Sequence, residues 1–215
     1  MKNKPLIIIG DGGHANTLID ILNLNKLKII GIASNNELKK DLMGIKVYKD
    51  NQIIEKYNKN EIELVNGIGS VPYKQKKRIE INNYFKSYGY KFKSVIHPSA
   101  IIGTNVILDD GVQVMAGAVI QNNCKIGSDS IINTGAIIEH DCLIGNNCHI
   151  APGSVICGNV KCGQNTHIGA GSVVIQGISI GKNTIIGAGS SIYKNVEDNC
   201  LVKSGVGMSI NRHND

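Results

Sequence analysis

The 215 residues contain no tryptophan, two phenylalanines and seven tyrosines. Aromatic side chains therefore cannot dominate the core, which must be aliphatic. No apolar run is long enough to span a bilayer, so no membrane helix is expected. Met1–Ile9 combines charge with a short apolar stretch but lacks a cleavage site, so it does not read as a signal peptide. A cytoplasmic location follows as the expectation. The six cysteines include no C-x-x-C pair, which argues against a zinc ribbon or a dithiol redox motif. In that compartment the thiols should be free. Lysine and arginine exceed aspartate and glutamate by 17 to 9 before residue 95, whereas the remainder has 6 against 8. No nucleic-acid-binding motif or aromatic platform accompanies this basic excess. It suits a solvated surface or attraction for a small anion.

Glycine, asparagine and isoleucine are abundant, and from Val95 they fall into order. The chain divides without a gap into hexads, from VIHPSA through IIGTNV and VIQNNC to SIYKNV at Val196. The second position is Ile, Leu or Val in every hexad except one, where it is Cys162. A fixed short period means stacked units. Three hexads make one triangular coil, so residues 18 apart should stack. Second-position aliphatics should point inward, and Gly and Asn should serve the corners, where positive φ is cheap for them. Cys124, Cys142 and Cys148 fall on the small sixth position, so with Cys162 they read as buried small hydrophobes.

The first 94 residues read differently. Leu6–Ile9 looks like a buried strand, followed by GDGGHA and a helical pattern through Thr17–Leu22. LKIIGIAS, GIKVY and EIELVNGIGS read as further strands. Residues 71–89 read as a helix, with Ile79, Asn82 or Asn83 and Phe85 at turn spacing. Alternation of strand and helix implies a parallel sheet. The chain thus divides into a Rossmann-like unit at 1–94 and a repeat domain at 95–215.

Gly10-Asp11-Gly12-Gly13-His14-Ala15 lies after a strand and before a helix, where backbone N–H groups can hold a phosphate. A dinucleotide site would also need an acid closing the second strand. Here that strand ends in Ser34-Asn35-Asn36, which disfavours a nicotinamide oxidoreductase. In the repeats, Glu139-His140-Asp141 interrupts the Gly/Asn corners, and His149 follows nine residues after His140. A metal-dependent hydratase on the same repeat would need three converging histidines, two of them close in sequence. His140, His149 and His167 are too widely spaced for that.

The combination of G-x-G-G-H with a hexapeptide repeat carrying E-H-D-C resembles the sialic-acid O-acetyltransferase and bacterial nucleotide-amino-sugar N-acetyltransferase family. HPSAIIG, VMAG, INTGAIIEHDCLIG and CHIAPGS are most similar to its perosamine-type 4-amino-sugar N-acetyltransferases. The resemblance implies a left-handed parallel β-helix, acetyl-CoA as co-substrate, a nucleotide-linked amino sugar as acceptor and a homotrimer. It implies neither a metal nor nucleic acid as partner. Family members serve surface polysaccharide synthesis, including lipopolysaccharide O-antigen.

Carried over by residue, the resemblance makes His140 the base and Asp141 its acidic partner. Gly10, Gly12, Gly13, His14, Ser34 and Gly69 would bind the acceptor. Asn133, His149, Gly158, Ala170 and Ala188 would line the acetyl-CoA groove, with the Gly158 N–H near the thioester carbonyl. A base fits the chemistry, because an ammonium must lose a proton before it can attack a thioester. Sugar O-acetylation is the alternative implied. Two departures stand out. The family commonly has an acid near Ser34–Asn36, and its terminal G-V-P-A is here Gly205-Val206-Gly207-Met208.

Overall fold

The computed structural model describes residues 3–36, 41–72 and 75–204; Gly205–Met208 lies outside them. The first unit contains strands β1 (Leu6–Ile9), β2 (Ile29–Ala33), β3 (Asp41–Leu42), β4 (Ile45–Tyr48) and β5 (Glu63–Asn66). Its helices are α1 (Gly13–Leu24), α2 (Asp50–Lys56) and α3 (Gln75–Ser87). The sheet order is β3-β4-β2-β1-β5, parallel except for β3 against β4.

Several details depart from the sequence reading. The short β3 and helix α2 were not foreseen. β5 stops at Asn66, because the Asn66 Oδ1 accepts the Ile68 N–H at 2.8 Å and turns the chain into Gly67–Gly69. The buried face of α3 is Arg78, Asn82 and Phe85, with Ile79 only half-buried. Arg78 is drawn inward because Nη1 donates to the carbonyls of Asn66 and Ile68, satisfying the backbone where β5 ends.

From Val95 the chain winds into three parallel sheets of two-residue strands. Residues 18 apart pair, as in Ile131↔His149↔His167 and Ile132↔Ile150↔Ile168. The second-position ladder is buried from Val114 to Ile192, Cys162 included. At roughly 1.5–3 kcal/mol per buried aliphatic side chain, this ladder replaces an aromatic core. Its beginning is an exception. Ile96 is exposed and Val95 is buried instead, because no coil lies beneath the first one and α1 packs against Val95. The last coil is also two residues short, with Ile185 pairing Leu201 and Ile180 bridging Val196. All six cysteines are free, and Cys124, Cys142, Cys148 and Cys162 are buried. The architecture is an α/β Rossmann-like unit followed by a left-handed parallel β-helix.

The two parts share a core. One face of the sheet, with α1, packs Leu6, Ile8, Leu18 and Leu22 together with Val95, Met115 and Ile131 of the coils. The other face buries Ile53 of α2 and Phe85 of α3. Among the described residues, no helix is long and apolar enough to cross a membrane.

Candidate active site

His140 and Asp141 occupy the turn between strands Ile137–Ile138 and Leu143–Ile144. Every fifth hexad position from Asn105 to Gly189 has positive φ, and Asp141 takes this place at φ 61°. Aspartate tolerates that region better than most side chains. The turn sets Asp141 Oδ2 2.7 Å from His140 Nδ1. One coil earlier, Asn123 donates Nδ2–H to Asp141 Oδ1 at 3.2 Å, so both carboxylate oxygens are held. The hydrogen bond to Asp141, aided by the charges of Asp141 and Glu139, raises the His140 pKa. The reciprocal bonds from His140 and Asn123 lower that of Asp141. With Nδ1–H donated to the carboxylate, neutral His140 presents an unprotonated Nε2. The ring is about half exposed and lies over Gly158, where a Cβ would come within 2.7 Å of Cε1 and Nε2. Only glycine at 158 leaves room for this rotamer.

His149 lies on a different side of the coil. It stacks edge-to-face on His167, ring centroids 4.9 Å apart, and its Nε2 accepts from Asn133 Nδ2 at 3.0 Å. Burial, reinforced by the charge of His167, lowers its pKa to about 3, so the ring is neutral. A cavity of about 540 Å³ is lined by His149, His167, Ala170 and Ala188, with Ser70–Pro72 as its other wall. Asn133 reaches this group through its hydrogen bond.

The residues expected to bind the acceptor line one cleft. Gly10, Gly12, Gly13, His14, Ser34 and Gly69 all line a cavity of about 760 Å³ at the carboxyl ends of β1, β2 and β5. This is where open α/β sheets bind ligands. Gly12 is the N-cap of α1, and a Cβ on Gly12 or Gly13 would meet only open space, so their backbone is accessible. His14 Nε2 lies 2.7 Å from Gln113 Oε1, while Gln113 Nε2 donates to the Asn66 carbonyl at 2.7 Å. The amide orientation therefore fixes His14 with its proton on Nε2. Burial, then the charge of Arg78, lowers its pKa to about 4.

Val71 lines both this cleft and the His149 cavity, so the two are neighbours. The His140 corner joins neither within one chain. It is separated from the Ala170 corner by the sheet bearing Ile137 and Val155. Gly158 groups with His140 rather than with Asn133, His149, Ala170 and Ala188.

Sequence reasoning missed Asp50, Lys77, Tyr84 and Gln113. The first three line the 760 Å³ cleft, and Gln113 orients His14. Gln113 carried a readable signal, being a polar side chain in the hexad position that its stacked neighbour fills with Ile131. Asp50 had none, because it arrives through tertiary contact.

A family model for the PglD N-terminal domain matches residues 5–81, and one for bacterial transferase hexapeptide repeats matches 123–158 and 159–194. The comparison with curated proteins finds no match. Among solved structures, the chain is similar to PerB of Caulobacter crescentus in complex with CoA and GDP-perosamine. It is 33% identical, with 92% of each chain covered and a TM-score of 0.84. A histidine-to-asparagine variant of perosamine N-acetyltransferase from the same organism, with the same ligands, is 32% identical over 92% of each chain, TM-score 0.85. The acetyltransferase domain of PglB from Neisseria gonorrhoeae, in complex with acetyl coenzyme A, is 25% identical, covering 93% of this chain and 96% of that one, TM-score 0.86. With a third of its residues shared across nearly its whole length, the chain belongs to the bacterial nucleotide-amino-sugar N-acetyltransferase family of hexapeptide-repeat, acetyl-CoA-dependent acyltransferases.

Proposed function

We propose that the protein transfers the acetyl group of acetyl-CoA to the amine of a nucleotide-linked 4-amino-4,6-dideoxyhexose. The carrying observation is the His140–Asp141 pair on an open corner, with Nε2 free to take a proton. His140 removes one proton from the sugar ammonium and releases it to solvent, the amine nitrogen forms a bond to the thioester carbon, and the ring takes the second proton that this nitrogen sheds. Asp141 stabilises the imidazolium. The Gly158 N–H is the candidate donor to the developing oxyanion. As the C–S bond breaks, the CoA thiolate departs and His140 returns the proton to it. The cleft at Gly12–His14 holds the nucleotide sugar, and the cavity at His149, Ala170 and Ala188 holds CoA.

The working unit in this reading is a homotrimer. The His140 corner and the two cavities are separated in one chain by a sheet whose outward column is Ile101, Val119, Ile137, Val155 and Val173. Ile101 and Val173 are exposed. A second copy against that aliphatic face brings one protomer's base to its neighbour's cavities. Cellular supplies of acetyl-CoA and nucleotide sugars support a cytoplasmic reaction. An N-acetylated nucleotide sugar suits assembly of surface polysaccharide, including lipopolysaccharide O-antigen.

The test is CoA-thiol release from acetyl-CoA with UDP-, dTDP- and GDP-linked 4-amino sugars. Release that requires an amino sugar supports the reading. Release only with a sugar hydroxyl, such as that of sialic acid, overturns it.

A further inference from the structure

The acceptor cleft has a direction. Gly12 and Gly13 open α1 directly after β1, so phosphates sit there. The sugar must extend toward the β-helix, on the side where His14 is tied to Gln113. The nucleoside then runs the opposite way, over the end of β2 and on to the end of β4, the next strand out. Strands are spaced by ~4.8 Å, so ribose falls over β2 and base over β4.

At the end of β4 stands Asp50. The residue after β2 that would be acidic in a dinucleotide site is spent on holding it. Asn35 Nδ2 donates to Asp50 Oδ2 at 2.8 Å, and Asn35 Oδ1 accepts the Asp50 N–H at 3.2 Å. With Oδ2 pinned, the carboxylate lines the cleft. Lys77 and Tyr84 of α3 face it, close enough for charge to be felt. The exposed Tyr84 ring offers a stacking surface.

A fixed carboxylate beside a base slot selects for adjacent donors. Guanine presents two, N1–H and the N2 amine. Uracil and thymine present one N3–H flanked by carbonyls, which a carboxylate repels. Adenine places a lone pair at N1. We infer that Asp50 reads the Watson–Crick edge of guanine, so that the acceptor is a GDP-linked sugar. This rests on the cleft being the acceptor's nucleotide site.

Calorimetric titration of the full chain with GDP, IDP, 2′-deoxy-GDP, UDP and dTDP tests it. GDP and 2′-deoxy-GDP should bind alike. IDP, which lacks the N2 amine, and both pyrimidine diphosphates should bind weaker by about 10-fold or more. Asp50→Asn should lose a similar factor for GDP and improve for XDP, whose C2 carbonyl can accept from the new amide. UDP or dTDP binding as tightly as GDP would overturn the inference. So would loss of 2′-deoxy-GDP with IDP unaffected, which would mean that the carboxylate reads ribose. The IDP comparison uses the unaltered chain and holds even if the variant fails to fold. Acetyl-CoA binding without affinity for any nucleoside diphosphate would instead remove the nucleotide reading of the cleft.

Discussion

At the scale of the residue, His140 is set up by two neighbours, Asp141 and Gly158. His140→Ala should lower kcat by roughly 10²-fold or more, with acetyl-CoA affinity retained. Asp141→Asn should cost less and move the acidic limb of the kcat–pH profile. The sign follows from the bond at Nδ1. Asp141 raises the His140 pKa, so the base form is gained only as pH climbs through that raised value. Without the carboxylate charge the limb moves to lower pH. Gly158→Ala attacks the same ring sterically, since its Cβ would lie 2.7 Å from Nε2. The ring must swing away, which loosens its bond to Asp141, so kcat should fall and the limb should move to lower pH. A Gly158→Ala enzyme with wild-type kcat would show that this rotamer is not the working one. The Glu-His-Asp triplet was legible because it breaks a repeat. Asp50 was not, because its place beside Asn35 comes from β4 and α2 folding back on β2, which no local spacing encodes.

At the scale of the element, the repeat period was legible over Val95–Val196 but the work of its glycines was only half legible. The corner argument assigns glycine to positive φ, and the fifth position obeys it. Gly145 has another reason. Its φ is ordinary, yet a Cβ there would lie 2.7 Å from the backbone nitrogen of Gln164 in the next coil. Because the obstacle is backbone, no rotamer change relieves it. Gly145→Ala should therefore destabilise by about 1–3 kcal/mol. Gly117 has φ 64° and open space around its missing Cβ. Gly117→Asn should cost well under ~1 kcal/mol, because asparagine visits that region routinely. Thermal unfolding of the two variants separates the explanations, and equal losses would mean that conformation alone governs both. The shortened final coil was invisible for a related reason. SIYKNV fits the hexad pattern, and only the pairings of Ile185 with Leu201 and of Ile180 with Val196 reveal two missing residues. On α3, the apolar spacing concealed Arg78, whose burial is decided by carbonyls on β5.

At the scale of the whole molecule, the joint between the two parts is partly apolar and partly a polar relay. Gln113 connects His14 to the end of β5, and Arg78 Nη2 donates to the Asp129 carbonyl of the coils at 3.3 Å. Burial, not the relay, keeps His14 neutral, because Nε2–H donates to Gln113 in either charge state and that bond favours the charged ring. Burial depresses the pKa of His14 to about 4 and that of His149 to about 3, and it lowers that of His167 as well. The unfolded chain therefore binds more protons than the folded one wherever these rings are neutral only in the fold. Their contribution to stability is complete above the unfolded value near 6.5 and is lost as pH falls toward 4. The charges facing His14 and His149 reinforce this: Arg78 acts on both, and His14 and His167 act on His149. His140 has the opposite sign, but it is half exposed and weighs little. The expected outcome is a Tm lower at pH 5 than at pH 7.5 by about 5 °C or more, given ~2–4 °C per kcal/mol for a chain of this size. His14→Gln and His149→Gln should each flatten the Tm–pH curve between those limits, even if they lower its plateau. A wild-type Tm that does not change from pH 7.5 to 5 would mean that the three rings take up protons in the folded protein as readily as in the unfolded one.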